Sequence, residues 1–584
     1  MSRSDMDSGF NLHALRYETR WDDDPVAQVM RDAVRMRLAR HVGVGTRVLD
    51  LGCGIGTDAA WLAERGADVI AADASAGMIA EARRRVPGLD ARECRAEDVA
   101  TLAADGPFDV VLMDFGVANC VDLGAVALGL ATCLRPGGTL IVVPMPRVHP
   151  MWMLRELLRG RPGQALGRMA AATDVDVEGA AIATRYLGAG EIRRAFAPWF
   201  TLSERRGLGF LLPPPGSRFG GLSTTLARLE TPLRRLPGFR NIGDHLVVEL
   251  VRQATPEPPP AVPVRISAAL AQRTGRVRRL HTLLLEATTG CQSRCVACAY
   301  RGPAGGEALT PSIAAALVEE AVSLGARSVV VTGGEPLLRS DRAALLEAIS
   351  AAEVPVTLLS NGLTLTRDAA LVARTCAELI VSLDGYDSET YRQTRGVDGL
   401  GAVTRGVAVL RSEAPTLPIR ARVTVTPGNA ESLHRIAERA VEIGFDSVSF
   451  LAADLDATEA FGRAGAPGGR GADAATVAAG LARAREVVPP GFVVDSPVAQ
   501  ARIHDKLAAD IGDGTHVPPT CNAPYASVFV QADLQVRPCF FLPVMGTARR
   551  GLGHGLVDAV PELRELDIST DPVCARCVCW AELH

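Results

Sequence analysis

Lysine is almost absent. Lys506 is the only one in 584 residues, so arginine carries the basic charge. That bias fits a GC-rich genome better than a design for phosphate binding, because acids balance it: 62 Lys and Arg against 66 Asp and Glu leave a net charge of −4. Without a basic excess there is no electrostatic footprint for nucleic acid. The run Arg83-Arg84-Arg85 stands where a helix should end, and cations suit that end of the helix dipole. No apolar run approaches the ~20 residues that span a bilayer. The opening "MSRSDMDSGFNLHALRYETRW" is polar and acidic, unlike a signal peptide. A soluble, cytoplasmic protein with no membrane partner is expected. No internal repeat and no HExxH zinc motif is present.

Thirteen cysteines are present. Cys53, Cys94, Cys120, Cys133 and Cys376 are scattered in apolar or helical contexts and read as buried structural thiols. The other eight fall in two groups, 291–298 and 521–579. In a cytoplasmic chain, clustered cysteines point to metal before disulfide. At ~100–200 residues per domain, the length asks for about three domains. The Pro-rich stretch "RQATPEPPPAVP", residues 252–263, reads as an extended spacer. On both sides, β-branched runs alternate with Ala-rich helical stretches, an α/β texture. The expected division is 1–252, a linker at 253–264, 265–475 and 476–584. Residues 457–475, rich in Gly and Ala, read as a loop or lid.

Before the linker, strands are expected at "RVLDLG", "DVIAAD", "FDVVLMD", "TLIVVP" and "HLVVELV". The segment "VLDLGCGIGTDAAWLAERGADVIAAD" is a strand, a glycine-rich turn, a helix and a second strand ending in Asp73. Gly52, Gly54 and Gly56 let backbone approach a ligand, and Asp73 is placed to accept from ribose hydroxyls. A plain βα turn and an NAD site are alternatives. The forms "LDLGCGIG", "DASAGMI" and "LRPGGTLIVV" resemble class I S-adenosylmethionine-dependent methyltransferases over roughly residues 10–252. The resemblance implies a Rossmann-like domain. It places Gly52 and Gly54 near the methionyl part, Asp50 near its amino group, Asp73 on the ribose, and Glu97 and Asp98 on adenine, with Arg95 departing from the usual acid. It also places Asp114 and Asn119 near the methyl acceptor, where Asn119 could equally be a turn residue. Tyr17, His149 and Asp114 are candidate bases, and residues 146–169 read as an acceptor lid or an ordinary packed helix.

After the linker, strands are expected at "TLLLEA", "SVVVTGG", "VTLLSNG", "LIVSLDG", "RVTVTP" and "SVSFLAA", a partial barrel of six βα units. Cys291, Cys295 and Cys298 follow the first of them. Three thiolates and an open position suit catalytic zinc or a [4Fe–4S] cube with one free iron. The C-x3-C-x2-C spacing, "VTGGEPLL", "LLSNG" and "VSLDG" resemble the radical S-adenosylmethionine superfamily over about residues 278–456. Ala297 departs from the aromatic common before the last cysteine. The resemblance implies a partial (β/α)6 TIM-type barrel with a [4Fe–4S] cluster on the three cysteines. It puts Gly333, Gly334, Glu335 and Pro336 on the methionyl amine, and adds Ser360, Asn361, Ser382 and Asp384 at the strand tips, the last two on ribose.

Cys521 and Cys539 flank a stretch that reads as a hairpin, and Cys574, Cys577 and Cys579 crowd "CARCVCW". A zinc ribbon is one reading. Beside a radical barrel, the arrangement resembles a twitch or SPASM-like module, a small Cys-rich α+β fold. That implies an auxiliary [4Fe–4S] cluster on Cys521, Cys539, Cys574 and Cys577, with Cys579 left over or replacing Cys577. The expected function is a fusion enzyme that uses S-adenosylmethionine at two sites: methyl transfer in one domain, and radical chemistry through a 5′-deoxyadenosyl radical in the other. Its substrate is expected to be a small metabolite, oxidised or rearranged, with flavodoxin or ferredoxin as electron donor. The alternatives are a peptide maturase and a non-catalytic iron–sulfur redox sensor.

Overall fold

The computed structural model describes residues 23–170, 173–177, 180–213, 220–254, 264–274, 277, 279–296, 298, 300–453, 473–510, 521–553, 563 and 565–577. Tyr17, Ala297, Cys579 and most of the expected 457–475 lid lie outside them. The chain divides into two compact units, Met1–Pro256 and Glu257–His584.

The first unit contains β1 (Arg47–Leu51), β2 (Asp68–Asp73), β3 (Asp90–Glu93), β4 (Phe108–Met113), β5 (Leu134–Val142), β6 (Thr173–Val177), β7 (Ala180–Thr184), β8 (Phe200–Leu208) and β9 (His245–Arg252). Seven form one sheet in the order β3-β2-β1-β4-β5-β9-β8, while β6 and β7 pair as a separate hairpin. β1 to β5 are parallel; β9 alone is reversed, pairing antiparallel with β5 on one side and β8 on the other. The parallel strands are apolar runs because both of their faces are covered: Val48, Leu49, Val111, Leu112, Leu140 and Ile141 are wholly buried. β1 lies between β2 and β4, so the strand order reverses there. A crevice therefore opens at the C-terminal ends of those strands. All five strands expected from the sequence form. β3 and β8 were not expected, because they are the two edges of the sheet and carry charge: "DARE" and the "SERR" of β8. Charged edges resist pairing with another chain, and they erase the apolar pattern.

The second unit has six parallel neighbours in chain order, β10 (Thr282–Glu286), β11 (Ser328–Thr332), β12 (Val356–Ser360), β13 (Glu378–Ser382), β14 (Ile419–Val425) and β15 (Ser447–Ala452). Helices lie between successive strands. The first, Pro311–Ser323, starts where Thr310 Oγ accepts from Ile313 N–H, with Pro311 at the first helical position. The hairpin expected between Cys521 and Cys539 forms as β16 (Ser527–Val530) and β17 (Gln535–Arg537). It does not stand apart: β16 pairs parallel with β10, Thr282 opposite Ser527, and β17 and β18 (Gly546–Thr547) extend the same sheet. Cys521 and Cys539 are thus attached to the sheet that also carries Cys291. Among the described residues, no helix is long and apolar enough to cross a membrane.

Glu320 fastens the segment after β18 to the first barrel helix. Its carboxylate is buried and accepts from Leu552 N–H at 2.6 Å and Gly553 N–H at 2.8 Å. Burial pushes this carboxyl up to about 7, against the pull of those two amides. The raised value means that folding retains the proton. Stability is therefore full below the unfolded value of 4.5 and falls as pH rises through about 7. Between those limits the second unit should lose up to roughly 3 kcal/mol. Glu320→Gln should flatten that slope, read by thermal melts across the window. An unchanged slope in the variant would remove Glu320 as its source.

Candidate active sites

In the first unit, the turn after β1 is forced by its contacts. Gly52 has φ +84°, and a Cβ there would strike the Val117 side chain. Its N–H donates to Ala72 C=O at 2.7 Å, which brings the turn against the end of β2. Asp73, at that end, accepts from Gly54 N–H at 3.0 Å and Ser75 N–H at 2.9 Å. Burial raises its carboxyl nonetheless.

Four carboxylates gather at this crevice. Among the described residues, neither oxygen of Asp50 accepts a well-formed hydrogen bond, and the residue is 1 % exposed. Burial, then the charge of Asp58, pushes Asp50 up to about 8. Asp114 is held well above the usual range by burial and by Asp58 and Asp50. Asp58 is anchored by the Arg35 Nε–H at 2.7 Å and lies 3.6 Å from Arg31 Nη1. An orphaned, buried acceptor beside a glycine turn fits a ligand ammonium, so the residues suit the methionyl end of S-adenosylmethionine.

Asn119 is wholly buried at the same edge and serves as a clamp. Its amide donates to Met145 C=O at 3.0 Å and Arg185 C=O at 2.5 Å, and its carbonyl accepts from Met145 N–H at 2.8 Å. Glu97 is half-buried and accepts from Asp122 N–H at 3.1 Å; Asp98 is exposed.

In the second unit, the strand tips converge on the turn after β10. Gly333 has φ +132°, and a Cβ on it would meet Thr288 backbone. Gly334 N–H donates to Thr288 C=O at 2.6 Å, and Glu335 N–H to Gly290 C=O at 2.9 Å. Buried Glu335 then ties β11 to β12, accepting from Asn361 N–H at 2.7 Å, Ser360 Oγ–H at 2.9 Å and Leu337 N–H at 3.0 Å. Pro336 opens a short 3-10 turn. Asn361 Nδ2 lies 3.7 Å from Cys291 Sγ. Asp384 accepts from Thr424 N–H at 2.7 Å and pairs with Arg395 at 3.1 Å, while Ser382 is half-buried at the same tip.

Backbone bonds from Cys291 to Gly302 and back pinch the cysteine loop shut at its base. Arg294 and Val296 N–H groups dock on the carbonyls of Arg395 and Thr394. Burial pushes the Cys295 thiol up to about 11; Arg395 opposes this, and Asp384, Cys298 and Cys291 add to it. The three thiols therefore share one local field. Among the described residues, no three His, Cys, Asp or Glu side chains already stand in closed metal geometry. Three thiols that repel one another when ionised, with no histidine among them, are a donor set that suits iron–sulfur ligation.

Residues 48–138 match the family described as methyltransferase domain, and residues 285–452 match the radical SAM superfamily. The chain carries a methyltransferase domain fused to a radical SAM domain. Both are enzyme domains, and the second brings S-adenosylmethionine and a [4Fe–4S] cluster as cofactors. Demethylmenaquinone methyltransferase of Beutenbergia cavernae is 42 % identical over 117 residues, 20 % of this chain and 47 % of that one. AdoMet-dependent heme synthase of Methanosarcina barkeri is 34 % identical over 168 residues, 27 % of this chain and 46 % of that one. The chain thus spans about half the length of the curated relatives it matches. Among solved structures, Streptococcus suis SuiB has 15 % identity and a TM-score of 0.41, covering 54 % of this chain and 76 % of that one.

Beyond the radical SAM match, Cys574 is buried, and Cys521, Cys539 and Cys577 are half-buried. Burial raises the Cys574 thiol, with Asp571 and then Cys539 and Cys521 adding to it. Cys539 and Cys521 thus lie within electrostatic reach of Cys574, although among the described residues no three His, Cys, Asp or Glu side chains stand as a metal-holding group. In the methyltransferase domain, the sequence did not single out Asp58, His245 or Asp244. Asp58 had no readable signal of its own: Arg31 and Arg35, one helical turn apart, reach it only through the fold.

Proposed function

We propose that the chain is a bifunctional enzyme. In this reading, the methyltransferase domain (1–252) transfers a methyl group from one S-adenosylmethionine. A linker (253–264) leads to the barrel (265–475), which performs radical chemistry with a second. The observation that carries the reading is the occurrence of one prepared site in each unit: unpartnered Asp50 at the Gly52 turn, and three thiols on the β10 loop.

In the first site, Gly52, Gly54 and Asp50 hold the methionyl part, Asp73 the ribose, and Glu97 with Asp98 the adenine. Asp114 faces the acceptor, and Asn119 holds the wall behind it. Transfer itself then needs chiefly alignment of the nucleophile with the methyl group. In the second site, Cys291, Cys295 and Cys298 hold the cluster. Gly333 to Pro336 line the methionyl amine, Ser360 and Asn361 border it, and Ser382 and Asp384 lie toward the ribose. When bound, the reduced cluster supplies the electron that splits S-adenosylmethionine into methionine and a 5′-deoxyadenosyl radical. The buried strand tips keep water from that radical.

The C-terminal part (476–584) is a twitch or SPASM-like module. Cys521, Cys539 and Cys574, with Cys577 or Cys579, hold an auxiliary [4Fe–4S] cluster suited to moving an electron during an oxidation. The reductant is a flavodoxin or ferredoxin. A small metabolite is favoured over a peptide as substrate, supported by the heme synthase relative, whose name specifies a small-molecule product.

Anaerobic reconstitution tests the reading. About eight irons per chain are expected, four per cube, with dithionite-dependent 5′-deoxyadenosine. Bound zinc with no cleavage overturns it; four irons with cleavage removes only the auxiliary cluster.

A further inference from the structure

We propose that His245 is the proton acceptor for an acidic hydroxyl, of phenol or enol type, in the methyl-transfer site. The inference rests on the reading of the first unit as a methyltransferase.

The topology brings His245 to the site. β9 runs antiparallel to β5, with Val142 opposite Val248. Its first residue therefore lies at the edge where the parallel strands end, and Leu246 N–H bonds Pro144 C=O at 2.9 Å. Phe115, directly after Asp114, meets the His245 ring edge-on at 5.2 Å. The Arg31 guanidinium stands 5.7 Å from the centre of the same Phe115 ring and belongs to the Asp58 ion pair. One aromatic ring thus separates His245 from the carboxylate crevice.

Asp244 prepares the imidazole. Its Oδ2 lies 3.2 Å from His245 Nδ1, its Oδ1 lies 3.2 Å from His149 Nδ1, and Arg168 Nη2 approaches Oδ1 at 3.0 Å. Burial would raise the Asp244 carboxyl, but His245 and His149 outweigh it and hold it well below the usual range. Asp244 meets the imidazole at its Nδ1 edge, which leaves Nε2 as the ring nitrogen outside the pair. His149 is 1 % exposed and His245 8 %, so His245 is the ring of the pair that a ligand can meet. Arg168 also lies 5.1 Å from the Tyr186 ring, which ties residue 186 to the same cluster.

The class of acceptor follows from the need for a base. A neutral amine attacks with its own lone pair, and a carboxylate is already ionised. A hydroxyl must lose its proton, and imidazole takes it most readily from phenols and enols, whose acidity is nearest its own. The hydroxyl oxygen attacks the methyl carbon. The carbon–sulfur bond breaks with its electron pair left on sulfur, giving S-adenosylhomocysteine. The hydroxyl proton passes to His245 Nε2.

The ordinary structural account is that the pair merely glues residues 149 and 168 to β9. p-Nitrophenol separates the two, because its ionised form absorbs in the visible. With full-length protein and S-adenosylhomocysteine, below the probe's own ionisation, the wild type should show the phenolate band. His245→Gln and Asp244→Asn should each weaken it at least about tenfold, one unit in the bound phenol's acidity. Both should keep S-adenosylhomocysteine affinity within about twofold, a change of under half a kcal/mol. An equal band in His245→Gln overturns the proposal, and so does a wild type that binds S-adenosylhomocysteine without showing the band. A wild type whose first unit does not bind S-adenosylhomocysteine instead removes the methyltransferase reading on which the proposal stands.

Discussion

Gly334→Ala should reduce 5′-deoxyadenosine formation by about 10²-fold or more, toward the zero level of a variant with Cys291, Cys295 and Cys298 all replaced by Ala. The Gly334 Cα lies so close to Gly290 that an added Cβ would collide with the Gly290 carbonyl oxygen. Both partners are backbone, so no side chain can rotate away. The same contact zone carries the Gly334–Thr288 and Glu335–Gly290 bonds, and Cys291 is the next residue. Relief of the clash must therefore move either the first cluster ligand or the Glu335 carboxylate that orders Ser360 and Asn361. A shift of ~1 Å in a reacting arrangement costs about 10²-fold. The checks are iron counting and a chromatographic 5′-deoxyadenosine assay. Unchanged S-adenosylhomocysteine binding by the first unit shows that the loss is local. Normal cleavage by the Ala variant would mean that the two glycines do not set the position of the cluster loop.

The same glycines show why much of the barrel was legible. Each chemistry-bearing residue follows an apolar run of about five residues within a few positions, and βα units place such residues at one end of the sheet. Cys291, Gly333, Asn361 and Asp384 could therefore be assigned to one edge without coordinates. Two kinds of feature were not legible. Charged edge strands such as β8 look like loops, because their composition guards against aggregation and does not serve a core. Residues joined by an antiparallel return have no local signature either. His245 is 130 residues from Phe115 in the chain, and only the reversal of β9 sets their rings 5.2 Å apart. For the same reason β16 read as part of a detached module, whereas it is the seventh parallel neighbour of the barrel sheet. Four buried residues give no hint of their partner strand.

Asp50→Asn should weaken S-adenosylhomocysteine binding to the first unit by about 10²-fold, within the 2–5 kcal/mol range for breaking a buried charge pair. The wild type should also show a pH optimum that the variant lacks. Burial and Asp58 hold the Asp50 carboxyl at about 8, far above its unfolded 3.8. Unliganded stability is thus full below that unfolded value and declines as pH rises through about 8. An ammonium arriving beside Asp50 reverses the preference, because it favours the carboxylate. Below about pH 8, binding must expel the Asp50 proton, so affinity rises with pH. At higher pH, where the ligand's own α-amino group loses its charge, affinity falls again. Calorimetric titrations should therefore give a bell that rises through about pH 8 and falls above it, and Asp50→Asn should keep only the descending limb. 5′-Methylthioadenosine, which has the adenosine but no amino acid, isolates the cause: it should bind wild type and variant alike at every pH. If it also binds the variant about 10²-fold more weakly, Asp50 acts by shaping the Gly52 turn, and the ammonium contact is not the source of the effect.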